Sequence, residues 1–213
     1  MKNQTKKITT IGMLSALAII VNVLVHFPIV PAVSFLSYDP KDVVIMICGF
    51  IYGPASVVMM SAIVSVLELM YRGGTYIDVI MNIFSTLAFV LPAAILYKKE
   101  RSKNSALKGM IIGIVVNAIV MLIWNYIVTP IYYQMPRSAV VALLLPGILP
   151  FNVIKSSVNT VITLLIYKPL VKFLRKGNLI NNDQASMSKT IIYVVLFIIL
   201  TAIFFVLGFK GII

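Results

Sequence analysis

The sequence predicts an all-α fold, a polytopic bundle of membrane-spanning helices, and two observations carry that prediction. Hydrophobic residues make up 61% of the 213-residue chain and charged residues only 11%, with a mean hydropathy of +1.04, whereas soluble domains carry about 25% charged residues. The apolar residues also fall into runs separated by short polar or basic breaks, and the runs approach the roughly 20 residues that a helix needs to cross a bilayer. A water-soluble fold is excluded, and six or seven helices with short loops nearly exhaust the chain. The net charge of +12 does not indicate nucleic acid, because the basic residues cluster between apolar runs, where Lys and Arg set topology.

The first span, residues 8–26, follows a leader with Lys2, Lys6 and Lys7, which holds the amino terminus in the cytoplasm. It lacks the small-residue cleavage site of a signal peptide. Residues 27–38 are apolar but broken by Pro28 and Pro31, which predicts an outer loop that covers something. The second helix is expected to open at Asp39-Pro40, with Asp39 capping free N–H groups and Pro40 at the first helical position. It ends at Gly53-Pro54. At about 15 residues it must thin the bilayer, shelter behind neighbours or leave one end unspanned. The third span covers 55–71 and the fourth 77–97, with a break at Arg72-Gly73-Gly74 between them. Lys98, Lys99, Arg101, Lys103 and Lys108 mark the following loop as cytoplasmic. The fifth span covers 109–128. Residues 129–150 carry Pro130, Pro136, Pro146 and Pro150, so they are expected to form an outer loop with a short interfacial helix. The sixth span, 151–170, ends among Lys168, Lys172, Arg175 and Lys176. The organisation is therefore a membrane domain at 1–176, a polar linker at 177–188 and an apolar segment at 189–213, read as a seventh, C-terminal span.

Ionisable groups inside spans are costly and by default face the bundle interior. Glu68 lies about one turn from the outer end of the third span, Asp78 at the outer start of the fourth and Lys155 in the outer part of the sixth. Snorkelling toward the interface is the alternative for Glu68 and Lys155, and a favourable N-terminal charge the alternative for Asp78. Residues three or four apart share a helix face, so Asn152, Lys155, Ser156 and Asn159 form one stripe. Asp78, Asn82 and Ser85 form another, and Asn117 and Asn125 share a side. Hydrogen-bonding glue between helices explains Asn117 and Asn159. Glu68, Asn82, Asn125, Asn152 and Lys155, by contrast, converge in the outer halves of their helices beneath two proline-rich loops, as a pocket for a small ligand requires. Trp124, Tyr126, Tyr132 and Tyr133 lie near, though interfacial anchoring accounts for such aromatics. Cys48 is a packing residue, His26 an inert interfacial one, and no His/Cys cluster suits a metal. The small-residue pairs Gly12/Ala16 and Gly109/Gly113 suit either internal packing or docking of another membrane protein. The chain has no G-x-x-x-x-G-K motif, so energy from ATP must come from partners.

Three segments, LSYDPKDVVIMICGFIYGP at 36–54, GGTYIDVIMNIFSTLAFVLPA at 73–93 and PFNVIKSSVN at 150–159, resemble the riboflavin-specific S components of energy-coupling factor (ECF) transporters, in order over about residues 8–176. The resemblance implies a six-helix S-component fold, binding of riboflavin from outside as substrate with no cofactor, and no enzymatic activity. It also implies partnership in the cell membrane with a transmembrane coupling protein and two cytoplasmic ATPases. The family's ligand-contacting regions correspond to the outer loop through Asp39, to Asn82, and to Asn152 and Lys155; Glu68 and Asn125 are added by the stripe argument. Family members usually carry an alanine pair spaced by three residues on the first span for docking, where this chain has Gly12 and Ala16. The seventh segment has no counterpart in the six-span pattern. Two other classes fit the chain less well. A stand-alone ion-coupled carrier would want inverted repeats, and a membrane enzyme would want a nucleophile within reach of a base.

Overall fold

The computed structural model describes residues 2–176. The linker and the seventh span expected at 177–213 lie outside the described residues. Seven α-helices and one short hairpin build the bundle: α1 Lys2–Leu24, β1 Phe27–Pro28, β2 Ser37–Tyr38, α2 Lys41–Tyr52, α3 Pro54–Arg72, α4 Tyr76–Glu100, α5 Lys103–Tyr132, α6 Arg137–Leu143 and α7 Leu149–Lys176. Of these, α1, α3, α4, α5 and the α6–α7 stretch are long and apolar enough to cross a bilayer. At 12 residues, α2 is too short to be counted with them.

The short second helix resolves its mismatch by shelter. Every residue from Lys41 to Phe50 is buried, so α2 stands in the centre, packed on by α1, α3, α4 and α7, and does not meet lipid. Close approach requires Gly49, where a Cβ would lie 2.6 Å from Val57 Cγ2 and 3.1 Å from Ala94 Cβ. The reversal into α3 takes a single residue. Gly53 turns the chain with φ +89°, a conformation open to glycine, and Pro54 opens the next helix at its favoured first position.

The α4–α5 contact decides the reading of one small-residue pair. A Cβ on Gly109 would sit 2.5 Å from Ala93 Cα, and Gly113 lies hard against the Phe89 carbonyl. Gly109 and Gly113 are therefore internal packing. Gly12 and Ala16 are exposed on α1, and a Cβ on Gly12 would meet nothing within 4 Å.

The bundle has two unlike ends. Lys98, Lys99, Arg101, Lys103 and Lys172 gather at the end where α4 meets α5 and α7 finishes. Here Phe50 packs on Tyr97 and Tyr167 with ring centroids 4.8 and 5.9 Å apart, and the two phenols lie 3.2 Å apart. At the other end the loops are apolar and fold inward. Residues 27–38 form the β1–β2 hairpin around a 3-10 turn at Pro31–Val33, and α6 leads into α7 through a π-helical turn at Leu144–Ile148, where Pro146 has no N–H to give to a regular ladder. Val30, Val33, Leu36, Ile148 and Phe151 join the two loops into one cluster, with Val33 Cγ1 seated against Gly147. The apolar loop at 27–38 thus covers this end of the bundle. The fifth helix runs longer than the sequence suggested, because Pro130 falls in its last turn, where α5 is already ending at Tyr132.

Candidate ligand-binding site

Beneath the joined loops lies a cavity of about 290 Å³. Its walls include Asp39, Glu68, Asn82, Asn152 and Lys155, five of the six residues that the sequence singled out, drawn from the first loop, α3, α4 and α7. The sixth, Asn125, is elsewhere. It lines an adjoining space of about 70 Å³ beside Trp124 and Tyr133, and its amide is satisfied within α5: Nδ2 donates to the Met121 carbonyl at 2.7 Å and Oδ1 accepts from Thr129 at 2.8 Å. The two spaces share Phe35, Leu36, Met81 and Tyr132 as walls.

Charge in the cavity is paired and buried. Lys155 Nζ lies 2.8 Å from Asp39 Oδ2, and Arg72 Nη1 lies 2.7 Å from Glu68 Oε1, one helical turn away on α3. Lys41 pairs with Glu68 Oε2 and stands 3.9 Å from Asp39 Oδ2. Asp42, also buried, accepts from Thr86 Oγ1 at 2.7 Å. Three cations, Lys41, Arg72 and Lys155, thus pair with the two carboxylates Asp39 and Glu68, which is the condition for holding charge away from water. Glu68 and Lys155 are 4% and 6% exposed, so neither snorkels. The reading of Asp39 as a helix cap is corrected: the residue before α2 is Pro40, with no side-chain cap bond, because the opposed charge of Lys155 on α7 claims the carboxylate instead. Burial pushes the Asp39 carboxyl up, but the Lys155 and Lys41 charges outweigh it and hold it at about 2. Its Oδ1 remains buried without a hydrogen-bond partner.

The polar stripes sort into two roles. Asn117 donates to Ser156 Oγ at 2.8 Å and accepts from Ser85 at 3.4 Å, tying α4, α5 and α7 together. Asn159 accepts from the Tyr38 hydroxyl at 2.8 Å and donates to the Asp39 carbonyl at 3.3 Å, which fixes the strand that carries Asp39 onto α7. Burial, then the Asp39 charge, pushes the Tyr38 phenol up to about 12, so it stays a donor. Asp78 is the helix-start charge that its position allowed, closing a capping box with Thr75, and it also accepts from the Tyr132 hydroxyl at 2.6 Å at the cavity rim. Asn152 donates to the Ile148 carbonyl at 2.8 Å, in the π-helical turn.

Sequence reasoning missed Lys41, Arg72 and Asn22. Arg72 Nη2 donates to Asn22 Oδ1 at 2.7 Å, and Asn22 Nδ2 donates to Tyr71 at 2.9 Å, so α1 is bound to the rim through α3. The signal for Arg72 was its spacing four residues after Glu68. For Lys41 it was a cation at the head of a helix too short to reach water at both ends. His26 was read as inert; it lines the cavity mouth, where burial and then Arg72 lower its pKa.

Fold and hydropathy together define a multi-pass membrane protein with a covered cavity at one end of its helices. The chain belongs to the family of substrate-specific components of ECF transporters, whose model matches residues 6–167. It is 32% identical over 179 residues to the riboflavin transporter RibU of Staphylococcus aureus, covering 81% of this chain and 94% of that one. The riboflavin transporter FmnP of Bacillus subtilis is 31% identical over 189 residues, covering 83% and 99%. A solved S component of a bacterial ECF transporter superposes with a TM-score of 0.69 at 32% identity, over 81% of this chain and 99% of that chain.

Proposed function

We propose that this chain captures riboflavin from outside the cell and delivers it inward together with an ATP-hydrolysing ECF module. The observation that carries the reading is the polar patch of Asp39, Lys155 and Asn152 in a loop-covered cavity of mixed lining, where Phe35, Leu36, Met81 and Phe151 supply apolar wall. Riboflavin is neutral, and the paired charges around the cavity ask for no countercharge. Its ring system offers an imide N–H, for which Asp39 Oδ1 is the free buried acceptor, and carbonyl oxygens, to which Lys155 and the side-chain amides of Asn82 and Asn152 can donate. Phe35, Met81 and Phe151 supply apolar wall for the rings, and the adjoining space beside Trp124 and Asn125 gives room for one end of the ligand. The resemblance of the two riboflavin transporters over more than 80% of the chain supports the same substrate.

The basic end of the bundle is assigned to the cytoplasm, which places the amino terminus inside and the cavity outside. The exposed Gly12 and Ala16 face of α1 is assigned to the transmembrane coupling protein, which carries two ATPases. Titration of purified protein with riboflavin, followed by flavin fluorescence, tests the substrate: quenching that saturates at one ligand per chain is expected, and unquenched fluorescence contradicts it.

A further inference from the structure

Two of the acidic residues that line the cavity, Asp39 and Glu68, are not equivalent. Both oxygens of Glu68 are engaged: Oε1 by Arg72 at 2.7 Å, and Oε2 by Lys41 with a longer contact from Asn82 at 3.4 Å. Asp39 gives Oδ2 to Lys155 and leaves Oδ1 buried and unpartnered. Lys41, fully buried, stands between them, paired with Glu68 and 3.9 Å from Asp39. Its ammonium has three donors on a flexible stem, and a movement of about 1 Å would bring it to hydrogen-bond length from Oδ2, the oxygen that Lys155 already holds, so two ammoniums on Asp39 would spread over both of its oxygens. A buried ammonium does not stay unpaired, so whichever carboxylate is free receives it. Asp42 is the other acid at hand, and Thr86 already donates to it.

We propose that Glu68 is a positioning residue and not a ligand contact: pinned by Arg72, it draws Lys41 away from Asp39 and so keeps Asp39 Oδ1 open for a donor group of the ligand. This rests on the cavity being the ligand site. Neutralising residue 68 releases Lys41 onto Asp39, where it competes with the ligand.

The experiment is a double-mutant cycle on the full chain, read as riboflavin affinity by fluorescence quenching. Glu68→Gln is expected to weaken binding about tenfold or more, the equivalent of one hydrogen bond to a charged group. Lys41→Met sets the reference for the cycle, and adding Glu68→Gln to it costs no further affinity, because the competing cation is already gone. A further loss on adding Glu68→Gln to Lys41→Met overturns the proposal, since Glu68 then touches the ligand or holds the fold. Should Glu68→Gln fail to fold, Glu68→Asp keeps the charge beside Arg72 while drawing the carboxylate back from Lys41, and it must give a smaller loss in the same direction that is absent when Lys41→Met is also present. A crystal structure of ligand-free Glu68→Gln separates this role from the substrate assignment. Lys41 Nζ within hydrogen-bond distance of Asp39 Oδ1 supports it whatever the wild type binds, and Lys41 still resting on residue 68 overturns it. Absence of riboflavin quenching by the wild type, with Lys41 displaced in the variant, refutes the substrate and leaves the positioning role standing.

Discussion

Asp39 and Lys155 meet across 116 positions of sequence, at 2.8 Å, and the ligand reading depends on what each has left to offer. Truncating Lys155 or Asn152 to Ala leaves a buried ligand group unmet, so each is expected to weaken riboflavin binding by about 1–3 kcal/mol. Unchanged affinity in both variants would make them hydrogen-bonding glue, the role that Asn117 has. The pH response follows from Asp39. A carboxyl held at about 2 in the fold, below its unfolded value of about 3.9, contributes stability that is fully present above that unfolded value and is lost only as pH falls through the folded one. With His26, which also lines the cavity and has a lowered pKa, replaced by Gln, riboflavin affinity is therefore expected to stay level from about pH 5 to about pH 8, and a steep fall within that window would show that the carboxylate is not held as described. At this scale the sequence was legible where helical spacing applied: the 152/155/159 stripe and Asn82 were read from period alone. It was not legible where the partner is remote. Nothing local tells Asp39 that α7 will claim it, so capping was the natural local reading, and nothing local buries Lys41.

Among the elements, α1 and α5 each carry a small-residue pair, and the packing separates them: the α5 pair is buried against α4 and the α1 pair is exposed. Gly113→Leu drives a side chain into the α4 backbone at Phe89 and is expected to lower thermal stability by the several degrees that an overpacked contact of about 1–3 kcal/mol implies. Gly12→Leu points into open space and is expected to leave folding and riboflavin binding intact while abolishing co-purification with the ECF module. Retained co-purification would move docking to another face. Sequence alone could not separate the pairs, because small residues at that spacing permit close approach without saying to what. The helix ends show the same limit. Pro130 was read as a stop, but a proline in a helix's last turn displaces few backbone bonds, and α5 continues to Tyr132. The short α2 was legible as a problem from its length, and only tertiary packing chose shelter among its three solutions.

For the whole molecule, apolar runs and clustered basic residues were enough to predict a bundle of membrane-spanning helices with unlike ends, because bilayer thickness and the distribution of Lys and Arg act on the chain directly. The cavity was legible only as a depth at which polar residues accumulate. Its closure by the hairpin and by the α6 turn, and the ion pairs that join Asp39 to Lys155 and Glu68 to Lys41, come from contacts between segments far apart in sequence. The central claim is that this covered cavity holds riboflavin. The visible absorption spectrum of the full-length protein, purified in detergent from cells supplied with riboflavin and compared with its Lys155→Ala variant, tests it most directly. The account predicts a flavin band near one equivalent per chain in the wild type and a diminished band in the variant. A colourless wild-type protein that also leaves the fluorescence of added riboflavin unquenched would contradict it.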